Sequence, residues 1–170
     1  MSIPIIYMAE HMDDSPVVKQ AAEPIPESLK HNIGFLLNRA SRILRDEMGL
    51  ALQPLMLTVH EYAIMRIIET RQSETQQGVA ERYGIDSSTM VELVDRLEGR
   101  QIIVREKNPL DRRSHILVLT PKGRKTLTRA KRIGDGVHKK FLSPLKDSER
   151  ELLYSSLYTV IISAPAREKA

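Results

Sequence analysis

The 170-residue sequence contains no cysteine, no tryptophan and only two phenylalanines. Without cysteine the chain has no disulfides, no thiolate zinc or iron–sulfur sites and no thiol redox sensor. Its longest charge-free apolar stretch, Leu152–Ala166, is interrupted by serines and a proline and is shorter than the roughly 20 residues that a membrane helix requires. The N-terminus also lacks the pattern of a signal peptide. We therefore expect one domain that works in the cytoplasm, with no membrane partner.

Motifs for catalysis and metal binding are missing as well. The sequence has no glycine-rich phosphate loop, no nucleophile elbow and no His-Glu-x-x-His pattern. Its five histidines are scattered, and without cysteine or a closely spaced histidine pair they do not predict a metal site. We expect no enzyme activity, no cofactor and no resident metal. The alternative is a zinc site that the fold assembles from histidines and carboxylates distant in sequence.

Positive charge is concentrated in one stretch of the chain. Residues 100–132 contain eleven Lys and Arg but only two acids, a net charge of +9, whereas the whole chain carries +4. The remaining residues are therefore negative overall. A localised positive field attracts a polyanion such as nucleic acid. A solvated basic surface without any partner gives the same pattern, so charge alone does not decide.

The N-terminal third divides into a leader and two helices. Residues 1–27 contain four of the nine prolines and no apolar period, which is typical of a flexible leader. From Ser28 apolar residues recur every three or four positions, which predicts a long helix that ends near Gly49. Thr58 and Glu61 have the spacing of a capping box, which predicts the start of a second helix.

The middle of the sequence predicts a helix-turn-helix. Thr75 can cap a short helix that runs to Tyr83, and Gly84 allows a sharp turn after it. Asp86 can then cap a further helix that ends at about Glu98. Two short helices joined by a glycine-containing turn make this motif.

A hairpin and two more helices complete the prediction. Residues 102–105 and 115–119 are β-rich runs separated by a charged loop. Thr120 followed by Pro121 predicts the next helix, and the Ser-x-x-Glu spacing within residues 147–151 predicts the last one. In the winged-helix plan, the second helix of the motif enters the major groove and the hairpin reaches over the DNA backbone. A mainly α fold with six helices and a small β-hairpin wing therefore favours nucleic-acid binding.

Several segments resemble the MarR family of bacterial transcription regulators. Residues 108–113 (Asn-Pro-Leu-Asp-Arg-Arg) and 117–123 (Leu-Val-Leu-Thr-Pro-Lys-Gly) look like the family's wing signature, Asp-x-Arg leading into Leu-Thr-x-x-Gly. Residues 88–89 (Ser-Thr) and 93–98 (Leu-Val-Asp-Arg-Leu-Glu) look like its recognition helix. The resemblance covers about residues 29–163. It implies a homodimer of two winged helix-turn-helix lobes, joined through the N- and C-terminal helices, on an inverted-repeat operator.

The same resemblance implies separate roles for successive segments of the chain. After the leader at 1–27, residues 28–57 would form an N-terminal dimerisation helix and a connection, 58–119 the DNA-binding lobe and 120–170 the C-terminal dimerisation helices. A small-molecule pocket would lie between the dimerisation helices and each lobe.

The resemblance also implies particular DNA contacts. Arg113 at the wing tip would enter the minor groove, and Asp111 would steady it by a salt bridge. The other candidates lie at helix starts, along the recognition helix and along the wing, where they suit phosphates and base edges. They are Thr75, Gln76, Ser87, Ser88, Thr89, Arg96, Lys107 and Arg112.

The predicted recognition helix departs from the family pattern. Residues 86–100 carry four acids and two arginines, and Glu92 lies where relatives often have Arg or Lys. Glu92 would either accept a hydrogen bond from cytosine N4 or repel phosphate, so affinity would rest on the wing. For Arg96, an internal ion pair with Glu92, Asp95 or Glu98 is an equally good interpretation.

For the effector, the resemblance points to the inner faces of the first two helices. Asn38, Arg42, His60 and Tyr62 offer a cation, hydrogen bonds and an aromatic wall, which would suit an aromatic carboxylate or a phenol. A CoA thioester is an alternative effector. Tyr62 equally fits a hydrophobic staple at the helix start, and Arg42 equally fits an exposed charge.

The leading hypothesis is a ligand-responsive, DNA-binding repressor. Its partners would be double-stranded operator DNA, a second copy of the chain and a small effector. The alternatives are a winged-helix module whose basic wing binds an acidic protein, and a zinc-responsive regulator.

Overall fold

The computed structural model describes residues 24–71, 74–109, 111 and 113–163. In this part of the chain no helix has the length and apolar character needed to cross a membrane. The predicted mainly α fold, with six α-helices and one β-hairpin wing, is confirmed. The elements are α1 (Ile33–Leu52), α2 (Val59–Thr70), α3 (Gln76–Tyr83), α4 (Ser87–Gly99), β1 (Ile103–Lys107), β2 (His115–Leu119), α5 (Pro121–Phe141) and α6 (Asp147–Ile162), with 3-10 turns at Glu27–Leu29 and Gln53–Leu55.

The chain divides into two units within α1, after Leu37. In the first unit, the side chain of Asn32 accepts a hydrogen bond from the backbone N–H of Phe35 at 2.9 Å and caps the helix. The helix therefore begins at Ile33, later than the predicted start at Ser28, because residues Glu27–Leu29 form a 3-10 turn and Asn32 supplies the acceptor for the free N–H groups. Most of the predicted leader, residues 1–23, lies outside the described residues.

The second unit has its core between α2, α4, the hairpin and the first half of α5. The predicted capping box opens α2: the hydroxyl of Thr58 accepts from the N–H of Glu61, and the carboxylate of Glu61 accepts from the N–H of Thr58 at 2.8 Å. Fully buried side chains from these elements include Ile64, Met65, Met90, Leu97, Ile103, Leu117 and Leu127.

The helix-turn-helix forms as predicted. Thr75 caps α3 by accepting from the N–H of Gly78, and Asp86 caps α4 by accepting from the N–H of Thr89. Gly84 has φ +74°, the left-handed conformation that a residue without a side chain adopts at little cost. This turn directs α4 across α3 and towards the surface that the wing extends.

The wing is an antiparallel pair in which Ile103 faces Leu119 and Lys107 faces His115. The backbone just before β1 approaches α5 closely at Gly123. A Cβ atom on Gly123 would overlap the backbone carbonyl of Ile102, so this position in the first turn of α5 accepts only glycine without a shift. The glycine of the wing signature is therefore explained by packing.

The last helix differs from the others because none of its residues is buried. It begins where predicted, but its cap is two residues earlier than expected: the carboxylate of Glu149 accepts from the backbone N–H of Lys146 at 2.7 Å, instead of Glu151 pairing with Ser148. Its large apolar side chains are exposed in the single chain. They are Leu152, Leu153, Tyr154, Tyr158, Val160, Ile161 and Ile162.

Candidate nucleic-acid interface

The outer face of α4 is the centre of the candidate interface. Met90, Leu93, Val94 and Leu97 turn one side of this helix into the core. Because successive residues of a helix are about 100° apart, the opposite side carries Ser88, Glu92 and Asp95. All three are exposed, as are Ser87 and Val91 beside them.

The hydroxyl groups at the start of α4 serve its cap. Asp86 accepts hydrogen bonds from the side chains of Ser88 and Thr89 and from the backbone N–H of Thr89. These bonds, that of Ser88 first, hold the pKa of Asp86 well below its ordinary value because they favour the charged carboxylate. The hydroxyl hydrogens of Ser88 and Thr89 are therefore engaged, whereas Ser87 at the first helical position is exposed and can donate to a phosphate.

Arg96 has an internal partner, but a different one from those predicted. Its Nε lies 3.3 Å from Oε1 of Glu61 on α2. One turn further on, the guanidinium of Arg100 donates to the backbone carbonyls of Leu55 and Met56. Arg96 lies on the flank of α4 that faces α2, and Asp95 and Glu98 of its own helix are paired with Arg105 instead. Sequence spacing does not reveal a partner 35 positions away.

Arg105 on β1 was not among the predicted residues, and it joins three elements. Its guanidinium pairs with Asp95 at 2.6 Å and with Glu98, both on α4, and donates to the side-chain oxygen of Gln76 on α3 at 3.2 Å. Although partial burial disfavours the charged form, the hydrogen bonds to Asp95 and Glu98 raise the pKa of Arg105. Gln76 is thus turned so that its amide nitrogen is left to donate to a phosphate.

At the wing tip, Arg113 and Lys107 are exposed, and Arg112 lies outside the described residues. The carboxylate of Asp111 accepts from the backbone N–H of Arg113 at 3.0 Å. This bond shapes the turn, and no ion pair joins the two side chains in the part of the chain that the structure describes, which differs from the predicted salt bridge.

An open cleft of about 500 Å³ lies between the tip of the wing and the start of α3. Its lining is polar and includes Thr75, Gln76, Arg105, Arg113 and His115. Thr75 also forms a β-bridge with Ile116, so the start of α3 is attached to the wing edge. Residues predicted to contact DNA from two separate segments, Thr75 and Gln76 on one side and Asp111 and Arg113 on the other, are therefore brought together around one cleft.

The four predicted effector residues do not form a single cluster. His60 hydrogen-bonds through Nδ1 to the hydroxyl of Tyr83 at 2.9 Å, with the two rings edge to face. Tyr62 is buried on another side of α2, where Arg66 donates to its hydroxyl at 3.1 Å and Gly134 of α5 lies against it. Two positions apart on a helix are about 200° apart, so His60 and Tyr62 cannot share a face.

The structure points to Arg45 and Tyr83 as effector-site candidates that the sequence interpretation missed. Burial raises the pKa of Tyr83, and the positive charge of Arg45 opposes that shift, so this arginine is close to the His60–Tyr83 pair. Arg45 also lies on the face of α1 that bears Asn38 and Arg42, at helical spacing. Spacing could have indicated Arg45, whereas only the fold brings Tyr83 to α2.

Comparisons with known proteins agree with this geometry. The model of the MarR family matches residues 57–115. The transcriptional regulator HosA of Escherichia coli O111:H- is 36% identical over 96 residues, which are 56% of this chain and 71% of that protein.

Solved structures extend the similarity over most of the chain. The repressor CouR bound to a 23-mer DNA duplex is 33% identical with a TM-score of 0.74, over 82% of this chain and 99% of that one. CouR from Rhodococcus jostii RHA1 bound to p-coumaroyl-CoA is 30% identical with a TM-score of 0.72, over 82% of this chain and 98% of that one.

Among the described residues, no group of three or more His, Asp or Glu side chains is placed to hold a metal ion.

The wing signature lies on an observed β-hairpin beside an observed helix-turn-helix, and relatives match across both. The chain belongs to the MarR family of winged helix-turn-helix, DNA-binding transcription regulators.

Proposed function

We propose that this protein is a homodimeric repressor that binds an inverted-repeat operator in the cytoplasm and is released by a small effector. The observation that carries the proposal is the single exposed surface on which the outer face of α4, the start of α3 and the tip of the wing meet. In this proposal residues 58–119 are the DNA-binding lobe, and the segments 28–57 and 120–170 dimerise.

The dimer is supported by α6. This helix exposes Leu152, Tyr158 and Ile161 by 66, 66 and 70%. So many exposed large apolar side chains on one helix of a single chain are typical of a protein interface. A second copy of the chain, related by twofold symmetry, would cover them and would place two recognition helices on two half-sites of the DNA.

On the DNA, side chains from α3, α4 and the wing would make the contacts. Ser87, Gln76 and Lys107 would bind phosphates, as would Arg112, whereas Arg113 would enter the minor groove. Thr75, Ser88 and Thr89 would act mainly by holding the helix starts, since their hydroxyl groups serve the caps. Arg96 would act by fixing the orientation of α4.

The test of this proposal is operator binding by an Arg113→Ala variant. Binding to the DNA upstream of the protein's own gene should weaken by about 1 to 3 kcal/mol, because the wing loses its minor-groove cation. Arg132→Ala on α5 removes the same charge at another exposed position and serves as the control. Equal affinities of the wild-type protein and the Arg113→Ala variant over a salt series would refute the wing assignment. The absence of any sequence-dependent complex would instead favour an acidic protein partner.

The effector is proposed to be an aromatic acid, a phenol or a CoA thioester. CouR, which is 30% identical, was solved with p-coumaroyl-CoA. Here Arg45, His60 and Tyr83 combine a cation, an exposed imidazole and a phenol, and Asn38 and Arg42 extend the same face of α1. A thermal-shift screen of these ligand classes is the test, because a ligand that binds the folded state raises its stability by mass action.

A further inference from the structure

We propose that Glu92 is the residue through which α4 selects cytosine in the operator. This inference rests on the proposed function, because it assigns one base to the recognition helix of a DNA-binding regulator. It starts from the acidic residues of α4 and from which of them are already paired.

Three of the four acids at α4 have partners within the protein. Asp86 caps the helix, and Asp95 and Glu98 are both paired with Arg105. The side chain of Glu92 has no hydrogen bond or ion pair with any other residue in the part of the chain that the structure describes. It is exposed at the centre of the outer face, one turn after Ser88. An unpaired carboxylate is thus the most prominent charged group that the helix presents.

The helix has no free cation to offset that carboxylate. Arg96, the one basic residue within α4, lies on a flank with its Nε bonded to Glu61. Guanine is usually read by a cation that donates to its N7 and O6 atoms, and α4 has no such group on its outer face. The neighbouring exposed side chain, Val91, is apolar and suits a thymine methyl group.

The hydrogen-bonding pattern of the major groove then selects the base. A carboxylate can only accept, so it is repelled by the N7 and O6 of guanine and by the O4 of thymine. The N6 amino group of adenine is flanked by two acceptors, its own N7 and the O4 of the paired thymine, whereas the N4 amino group of cytosine has an acceptor on one side only, the O6 of the paired guanine. Glu92 therefore favours cytosine both by attraction and by rejection of the other bases.

The experiment compares the sequences that the intact protein and its variants select from a random duplex library. The variants are Glu92→Gln and Glu92→Ala, and Asp135→Asn on α5 is a control for the loss of one negative charge. The wild-type protein should select cytosine at one position of each half-site. Glu92→Ala should reduce the preference there about tenfold, and Glu92→Gln should shift it to adenine, which a glutamine reads through N6 and N7.

A second measurement tests the atom involved. Replacing that cytosine with 2-pyrimidinone, which lacks the 4-amino group, should weaken binding by the wild-type protein but not by Glu92→Ala. If all variants select the same bases and Glu92→Ala binds every duplex more tightly by one factor, Glu92 only repels phosphate and the inference is wrong. If the wild-type protein selects no sequence, the proposed function itself fails.

Discussion

Arg96 on the recognition helix is paired with Glu61 on α2, with Nε and Oε1 3.3 Å apart. Glu61 is only 2% exposed and also completes the capping box of α2. One carboxylate therefore sets both the start of α2 and the position of α4 against it. This arrangement explains why Arg96 is turned partly away from the outer face of α4, which is the surface proposed to contact DNA.

Replacing Glu61 with alanine should lower the free energy of unfolding by about 1 to 3 kcal/mol, because the backbone N–H of Thr58 loses its half of the capping box and Arg96 loses its partner. The loss is no larger because the Arg96 side chain is half exposed, so that solvent screens its charge. Glu69→Ala in the same helix removes an exposed pair with Lys131 and should cost less than about 0.5 kcal/mol. Urea unfolding measures both. Equal losses for the two variants would contradict the role given to Glu61.

Two glycines of α5 should respond to alanine with opposite signs. Gly123→Ala should destabilise the protein by about 1 to 3 kcal/mol, because the new methyl group meets the carbonyl of Ile102. Gly136→Ala, where nothing lies within 4 Å, should stabilise it by about 0.5 to 1 kcal/mol through helix propensity. Thermal unfolding gives both signs. A stable Gly123→Ala variant would mean that the wing is not held against α5 at this point.

Asp86 should contribute to the pH dependence of stability. Its pKa in the folded protein lies below the unfolded value of about 3.9. The stability that its charge provides is therefore complete above that value and is lost as the pH falls through the folded pKa. Asp86→Asn keeps a capping oxygen but does not titrate, so the difference in unfolding free energy from wild type should be constant between pH 7 and 5 and shrink below pH 4. A difference that is the same at pH 3 would argue against it.

Removing the hydroxyl group of Tyr83 on α3 or of Tyr62 on α2 should have different effects on effector binding. Tyr83→Phe removes the hydroxyl that bonds His60 and should weaken the binding of an effector found by the thermal-shift screen by about tenfold. Tyr62→Phe removes a hydroxyl on the other side of α2 and should leave that affinity unchanged, although the loss of its bond to Arg66 should lower the melting temperature of the free protein. If Tyr62→Phe weakens effector binding and Tyr83→Phe does not, the effector site lies between α2 and α5 instead.

Local signals in the sequence predicted most of the fold. The caps at Thr58, Thr75, Asp86 and Thr120 act within three or four residues, so their spacing alone places four of the helix starts. Prediction failed at the start of α1 and at the cap of α6. At each, a nearby side chain, that of Asn32 or Glu149, supplied the acceptor that the apolar spacing does not indicate.

The sequence by itself determined the family, the order of the elements, the basic wing and the presence of an acid, Glu92, on the predicted recognition helix. Only the tertiary structure decided which charges are already used. Arg96 is bound by Glu61, Asp95 and Glu98 are bound by Arg105, and His60 and Tyr62 are directed to different neighbours. The physical reason is distance along the chain: an ion pair between residues far apart in sequence depends on which helix faces meet, and packing of the core sets those faces. The same packing leaves Glu92 unpaired on the surface proposed to face the DNA.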